Sequence, residues 1–187
     1  MTSSMKILSA LIHGDRAGLQ VFLEAETASA WHQACIDLIK DAPETADPEA
    51  AHSCFIEFGH RVREKVDDDR LLVSALRQLL AKFAGTDAGR GMVLYRGESM
   101  DRFQEGHIGL CWTTKRSVAE MFAGGLNAMI GQGGVLLQAS APGHALIAGP
   151  NAHSRWLGEE EYLVDPRLLQ NIELVARYPN LWVSGNP

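Results

Sequence analysis

The sequence has little of several features that mark common protein classes. It contains only three cysteines, Cys35, Cys54 and Cys111, and none of them is spaced as Cys-x-x-Cys. A sparse, odd set of this kind argues against a disulfide framework and against a zinc site. It is typical of reduced thiols in a cytosolic protein. We therefore expect no bound metal.

Positive charge is scarce and scattered. The chain has 17 Lys and Arg residues against 23 Asp and Glu residues, which gives a net charge of −6. Proteins that grip nucleic acid neutralise phosphates with a surplus of Lys and Arg on one face. Nucleic acid is therefore not an expected partner. No Gly-x-Gly-x-x-Gly fingerprint follows a predicted strand, so a dinucleotide-binding fold of the Rossmann type is not indicated either.

The apolar stretch nearest the N-terminus is short. It extends only from Ile7 to Ile12 and is interrupted by Ser9. That length is too small for a good signal-peptide core and far too small to span a bilayer. We therefore expect a cytoplasmic protein without a membrane partner. A delivery route that needs no N-terminal signal could still carry it to another cell.

Helix-forming residues dominate the first part of the chain, residues 1–85. From about residue 15 this part is rich in Ala, Leu, Glu, Gln and Arg, which favour helices. We predict one helix over Arg16–Lys40, followed by a loop over Asp41–Asp47. A second helix begins with Asp47 as N-cap and Pro48 in its first turn. A third follows the acidic run Asp67–Asp69. The apolar residues at helical spacing are Cys54, Phe55, Phe58, Val62 and Val66 in the second helix, and Leu72, Leu76, Leu79, Leu80 and Phe83 in the third.

Short strand-like runs dominate the second part, residues 90–187. The glycine-rich segment Gly85–Gly91 marks the break between the parts. One helix, Lys115–Ala123, and two loops, Gly124–Gly134 and Gly149–Gly158, are expected among the strands. This order indicates an α+β protein with a helical N-terminal part packed on a β-rich C-terminal part. The predicted strands are Met92–Tyr95, Ile108–Trp112, Val135–Ala139, Ala145–Ala148, Tyr162–Val164 and Ile172–Ala176.

Polar residues stand at or beside predicted strand ends in three places. Arg96 closes the run Leu94-Tyr95-Arg96-Gly97. Cys111-Trp112-Thr113 precedes the helix that carries Val118-Ala119 and Phe122-Ala123. Glu159-Glu160-Glu161 leads into the strand Tyr162–Val164. Taken singly, such features are typical of a surface arginine, a helix cap and a solvated acidic face.

Taken in order, the three segments resemble the Arg–Ser–Glu class of mono-ADP-ribosyltransferases, over roughly Gly91–Ala176. The resemblance implies a split β-sandwich of ADP-ribosyltransferase type that binds NAD in a bent form between small sheets. It implies cleavage of the nicotinamide–ribose bond and transfer of ADP-ribose to a protein acceptor, with arginine as the accepting side chain. Whether such a chain is a toxin, an injected effector or a regulator is left open.

Residue matching assigns cofactor-binding roles to two of the three segments. Arg96, with Gly97 beside it, takes the place of the arginine that grips NAD. Cys111, Trp112 and Thr113 take the place of the Ser-Thr-Ser motif that shapes the nicotinamide pocket. A cysteine and a tryptophan thus replace the first serine and the middle threonine, and the register Trp112-Thr113-Thr114 is the alternative. Phe122, on the following helix, completes the expected cofactor-binding set.

Glu159 and Glu161 take the positions of the Glu-x-Glu motif. Alternation along an extended segment places both on the same side. Breaking the nicotinamide–ribose bond passes through an oxocarbenium-like transition state, which the Glu161 carboxylate would stabilise. Glu159 would orient the arginine acceptor and help to remove its proton. Water as the acceptor would make the protein an NAD glycohydrolase instead.

The loop that runs into Glu159 is the substrate-reading segment in this resemblance. Arg155 and Trp156 are its expected substrate contacts, because an exposed aromatic ring can stack on a guanidinium. The alternative for Trp156 is packing on the core. A non-catalytic binding module is the alternative from another functional class, since the Ser-Thr-Ser place is altered.

Overall fold

A computed structural model describes residues 1–41, 47–81 and 91–182. These residues form two compact units. One unit contains the described residues of 1–84 together with Asn151–His153, and the other contains those of 85–150 and 154–187. The predicted loop between Asp41 and Asp47, the glycine-rich break before Gly91 and the predicted core position Phe83 lie outside the described residues.

The first unit has five helices among its described residues. They are α1 (Ser3–His13), α2 (Arg16–Ala25), α3 (Ala28–Asp41), α4 (Pro48–Val66) and α5 (Asp69–Leu79). Helix α1 was not predicted; Thr2 caps its first turn, and Gly14 ends it in the left-handed conformation. The single helix predicted over Arg16–Lys40 is wrong. Thr27 interrupts it, because its hydroxyl accepts a hydrogen bond from the backbone N–H of Ala30 and so starts a new helix.

Helix α4 confirms the predicted cap Asp47, and α5 begins within the predicted acidic run, at Asp69. The side chain of Asp47 accepts a hydrogen bond from Ala50 N at 3.0 Å, and that of Asp68 accepts from Arg70 N and Leu71 N. Every predicted apolar position of the two helices that the structure describes is buried. No helix among the described residues is long and apolar enough to cross a membrane.

The second unit is built on one six-stranded sheet in which every registered neighbour is antiparallel. Each of the six predicted strands overlaps an observed strand, although the prediction Ile108–Trp112 shares only Cys111 and Trp112 with its strand. The strand order is β4-β5-β2-β1-β3-β6. The α+β class is therefore confirmed. The strands are β1 (Met92–Ser99), β2 (Cys111–Thr113), β3 (Gly134–Ala141), β4 (Leu146–Ala148), β5 (Glu161–Val164) and β6 (Gln170–Tyr178).

Three α-helices lie between these strands, where one was predicted. Helix α7 (Arg116–Gly124) confirms the prediction to within one residue at each end. Helices α6 (Met100–Gln104) and α8 (Ala152–Leu157) are additional. Helix α8 occupies the predicted loop Gly149–Gly158. Both extra helices have six residues or fewer, too few for a helical apolar period to be recognisable in the sequence.

The strands pack around two groups of buried side chains. Ala119 and Ala123 of α7 pack against Leu136 of β3. Gly97 allows α7 to approach β1 closely, because a Cβ on it would overlap the backbone of Ala119 and Ala123. The larger core cluster consists of Leu94, Met100, Trp112, Val135, Leu137, Ala139, Ala141, Leu146 and Val164.

The connection between β1 and β2 is the narrowest in the sheet. It has one registered pair, Tyr95 with Thr113, whereas β1 and β3 share eight. The next residue along β1 is Arg96. Its side chain, rather than a further registered backbone pair, bridges the two strands from there on. The sheet therefore consists of the three-stranded halves β4-β5-β2 and β1-β3-β6, joined at one point.

Candidate functional site

Arg96 lies just beyond the joint between the two halves of the sheet. Its Nε donates to Oε2 of Glu98 at 2.9 Å, and its Nη1 donates to the carbonyl oxygen of Cys111 at 2.6 Å. A guanidinium has five N–H donors. The other three donors of Arg96 have no hydrogen-bond partner among the described residues. A one-fifth-exposed guanidinium with spare donors is suited to an anionic ligand.

Glu98 is the counter-charge of Arg96, and its role was not predicted from the sequence. Its side chain is 2% exposed, and it also forms an ion pair with Arg102, whose Nε is 3.3 Å from Oε1. Burial by itself raises the pKa of the Glu98 carboxyl, but the two arginines outweigh burial and hold the pKa below its usual value. The sequence did contain a clue to this role. Glu98 is four residues from the apolar Leu94, so alternation along the strand places its carboxylate on the same, inward-facing side.

Gly109 makes room for the Arg96 guanidinium. A Cβ on Gly109 would overlap Nη2 and Cζ of Arg96. The Gly109 N–H also donates to Oε2 of Glu98 at 3.0 Å, so this backbone contacts both members of the ion pair. Glycine is therefore required here by close approach and not by a left-handed backbone.

Glu161 begins β5 and lies opposite Thr113 of β2. Its carboxylate oxygen Oε2 is buried without a hydrogen-bond partner among the described residues. Burial, reinforced by the negative charge of Glu159, raises the pKa of Glu161 to about 7, and Arg96 opposes that rise. A buried carboxylate that has an oxygen without a hydrogen-bond partner and a raised pKa is unusual for a purely structural residue.

Arg96, Cys111, Glu159 and Glu161 lie close enough to influence one another electrostatically. Burial raises the pKa of the Cys111 thiol, as do the charges of Glu161 and Glu159, while Arg96 lowers it. Arg96 and Glu161 likewise shift each other's pKa. The predicted guanidinium and the two predicted acids all meet strand β2, because Arg96 donates to the Cys111 carbonyl oxygen, Thr113 donates to the Glu159 carbonyl oxygen, and Glu161 lies opposite Thr113. The Glu159 carboxylate has no hydrogen bond or ion pair within the described part of the chain.

The turn that carries the acids is fixed by the last residue of β2, Thr113, and by Lys115 beyond it. Thr113 Oγ1 donates to the carbonyl oxygen of Glu159 at 2.6 Å. Lys115 Nζ forms an ion pair with Glu160 at 3.0 Å and donates to the carbonyl oxygen of Gly158 at 3.1 Å. Glu160 has φ 46°, in the left-handed region, so the segment Glu159–Glu161 is not extended and the alternation predicted for its two acids is wrong. We call these contacts of Thr113 and Lys115 the acidic-turn clasp.

Ser154 holds the same turn from the α8 side. Its hydroxyl accepts a hydrogen bond from Glu161 N at 2.6 Å. Its carbonyl oxygen accepts from Glu159 N at 3.0 Å and from Glu160 N at 3.3 Å. The backbone of both acids is thus fixed independently of any ligand, which is the preorganisation a catalytic carboxylate needs.

Two predicted cofactor contacts have other positions. The prediction for Trp112 is wrong at the level of its side chain, which is 1% exposed, lies in the core and donates from its indole N–H to Gly109 O at 3.0 Å. The physical reason is that tryptophan, unlike the threonine it replaces in the motif, has a large apolar ring that is suited to packing in the core. Gly97 lies beneath α7, next to Phe122, and so serves helix packing.

Thr113 and Thr114 differ in what their hydroxyls do. The Thr113 hydroxyl donates to Glu159 O and accepts from Lys115 N at 3.0 Å, so its role is in the clasp and not in a free pocket wall. The Thr114 hydroxyl is exposed and lies 3.5 Å from Oε2 of Glu160. Cys111 and Thr113 share one side of β2 and Trp112 faces the other, which favours the register Cys111-Trp112-Thr113.

The expected substrate contacts lie in α8. Trp156 is 80% exposed, so the alternative of core packing is wrong. Arg155 is exposed beside it. Their roles toward an acceptor stay predictions.

Neither a search for metal ligands nor comparison with known proteins assigns a role to any further residue. Within residues 1–41, 47–81 and 91–182, no group of three or more His, Cys, Asp and Glu side chains is placed to hold a metal ion. Comparisons with protein-family models, curated proteins and solved structures found no match to the chain.

Proposed function

We propose that this protein cleaves the nicotinamide–ribose bond of NAD and transfers ADP-ribose to an arginine side chain of an acceptor protein. The observation that carries the proposal is that Arg96, Glu159 and Glu161 all meet strand β2: Arg96 donates to the Cys111 carbonyl oxygen, the Glu159 carbonyl oxygen accepts from Thr113, and Glu161 lies opposite Thr113. The first is 65 residues from the last along the chain (161 − 96), so tertiary structure and not local sequence brings them together.

Arg96 would bind the diphosphate of NAD or the ribose next to it. Its Nε and Nη1 each already donate one hydrogen bond within the protein, and the remaining N–H groups can form parallel bonds to phosphate oxygens. The net charge of the chain, −6, opposes an anionic substrate in general. A fixed local cation is therefore what the site needs.

Glu161 would stabilise the positive charge that develops on the ribose as nicotinamide leaves. The breaking C–N bond gives its electron pair to nicotinamide, which departs as a neutral molecule and needs no proton. The buried oxygen Oε2 would accept a hydrogen bond from the ribose 2′-hydroxyl. Only the ionised form of Glu161 provides the negative charge, so its raised pKa makes the reaction depend on pH.

Glu159 would act on the acceptor. An arginine nitrogen forms the new bond to ribose C1′ and gives up a proton, which the Glu159 carboxylate can take. The exposed Trp156 and Arg155 on α8 precede this residue and would contact a protein acceptor. Water in place of arginine would yield free ADP-ribose by the same steps.

The single joint between β1 and β2 supports the split β-sandwich expected of an ADP-ribosyltransferase. Two half-sheets that separate beyond one registered pair can leave a cleft at their junction. Arg96 comes from one half, and Glu161 from the other.

Product analysis tests the proposed reaction. The purified protein is incubated with NAD labelled in the adenosine part, with and without an arginine-containing acceptor, and free nicotinamide, free ADP-ribose and labelled acceptor are quantified. Labelled acceptor together with nicotinamide supports transfer. Nicotinamide with only free ADP-ribose would replace transfer by hydrolysis, and no nicotinamide would favour a non-catalytic binding module.

A further inference from the structure

Glu98 is a fully engaged carboxylate that no step of the proposed reaction uses. Its Oε2 accepts hydrogen bonds from Arg96 Nε at 2.9 Å and from Gly109 N at 3.0 Å. Its Oε1 accepts from Ser99 N at 3.0 Å and faces Arg102 Nε at 3.3 Å. Both oxygens therefore face donors only. A glutamine amide has two N–H donors of its own and would put them against other donors in either orientation.

Gly109 and Cys111 complete the surroundings of the Arg96 guanidinium. A Cβ on Gly109 would occupy the space of Nη2 and Cζ, and the Cys111 carbonyl oxygen fixes Nη1 at 2.6 Å. Arg96 is thus held on two sides and has no room to retract toward Gly109. Such a precise placement of a long, flexible side chain costs rotamer entropy, which the buried ion pair offsets.

We infer that Glu98 and Gly109 are positioning residues that aim the free N–H groups of Arg96 at the anionic part of the nucleotide substrate. This inference rests on the proposed function for the identity of the ligand. It concerns affinity more than chemistry, because the diphosphate that Arg96 would bind is remote from the breaking bond. Misplacing Arg96 would therefore raise KM for NAD and change kcat little.

The kinetic test compares Gly109→Ala and Glu98→Gln with the wild type in nicotinamide release. Gly109→Ala is the sharper variant, because it displaces the guanidinium without altering any charge. We expect KM for NAD to rise roughly ten- to hundredfold, the usual effect of losing a charged hydrogen bond, with kcat within about threefold of wild type. Unchanged KM in both variants would overturn the inference.

Asp165→Asn is the matched control. Asp165 is also a buried carboxylate that pairs with the arginine two residues away, Arg167, at 2.7 and 2.8 Å. The Asp165→Asn variant therefore measures how much stability is lost when a buried carboxylate–arginine pair in the same unit is broken. A structural loss lowers the active fraction and hence kcat, with KM unchanged. The same pattern in the Glu98 and Gly109 variants as in this control would reduce their role to stability.

A second readout separates this inference from the proposed function. The Nε–Hε group of Arg96 is bonded to a buried carboxylate, so nuclear magnetic resonance of 15N-labelled protein should show it as a shifted, slowly exchanging signal. We expect that signal to be lost in Gly109→Ala and Glu98→Gln and kept in Asp165→Asn. Its persistence in Gly109→Ala would sink the inference. An absence of nicotinamide release by wild type, with the signal behaving as expected, would sink only the proposed function.

Discussion

Glu161 combines a partly buried carboxylate with a like-charged neighbour. Its pKa of about 7, against an ordinary value of 4.5, results first from burial and then from Glu159. Ionised Glu161 is the form that stabilises the transition state. We therefore predict that nicotinamide release rises with pH through a midpoint near 7, measured as kcat/KM across pH 5 to 9.

Glu159→Gln should move that midpoint to lower pH, because it removes the like charge that raises the pKa of Glu161. Glu173→Gln, on the exposed part of β6, serves as the control with the same change of charge. A midpoint that stays in place in Glu159→Gln would contradict the electrostatic account.

The burial of Glu161 also makes stability depend on pH, and in the direction opposite to activity: the protein becomes less stable as pH rises. Between pH 4.5 and about 7 the folded protein binds more protons at Glu161 than the unfolded chain does, so the free energy of unfolding falls as pH rises. Above pH 7 the full cost of the buried charge is present. Glu161→Gln should therefore raise the free energy of unfolding at pH 8 by up to about 3 kcal/mol and change it little at pH 4. Denaturant unfolding at both pH values measures this. A Gln variant that is less stable at pH 8 would show that the carboxylate is structural.

The acidic-turn clasp acts at the scale of the element, because it ties β2 to the turn before β5. Thr113→Val keeps the shape but leaves Glu159 O and Lys115 N without their partner. We expect a loss of about 1–3 kcal/mol in unfolding free energy and a fall in kcat, since Glu159 and Glu161 lose their fixed backbone. Thr113→Ser should restore both, and Thr114→Val, at an exposed hydroxyl, should change neither. Failure of the serine variant to rescue would contradict the clasp.

The close packing of helix α7 on β1 requires that Gly97 has no side chain. Gly97→Ala would push a methyl group against the backbone of Ala119 and Ala123, and we predict a destabilisation of about 1–3 kcal/mol in thermal or denaturant unfolding. Gly149→Ala is the control, because the nearest atom to its Cβ would be Tyr162 Cε1 at 4.0 Å. Equal effects of the two substitutions would contradict the close approach of α7.

Across the whole molecule, the features that could be predicted from the sequence are those that neighbouring residues determine. The cap Asp47, the acidic start of α5 and the six strands could be recognised because turn chemistry and apolar periodicity repeat over several residues. Short helices such as α6 and the break at Thr27 could not, because a single hydroxyl or one turn decides them.

The candidate site divides in the same way. Arg96 and the acids could be proposed from motif order, since each stands beside a strand. Glu98 and Gly109 could not, because their roles follow from contacts between β1 and the segment before β2 that pattern alone does not reveal. Trp112 was misassigned because a motif position does not tell which side of a three-residue strand faces the core.

The most direct test is a comparison of nicotinamide release from NAD by wild type and by Glu161→Gln at pH 8, with NAD affinity measured by calorimetry in parallel. We predict release by the wild type, a fall of roughly a hundredfold or more in the variant, and similar NAD affinity in both. Equal release by the two proteins, or no NAD binding by the wild type, would contradict it.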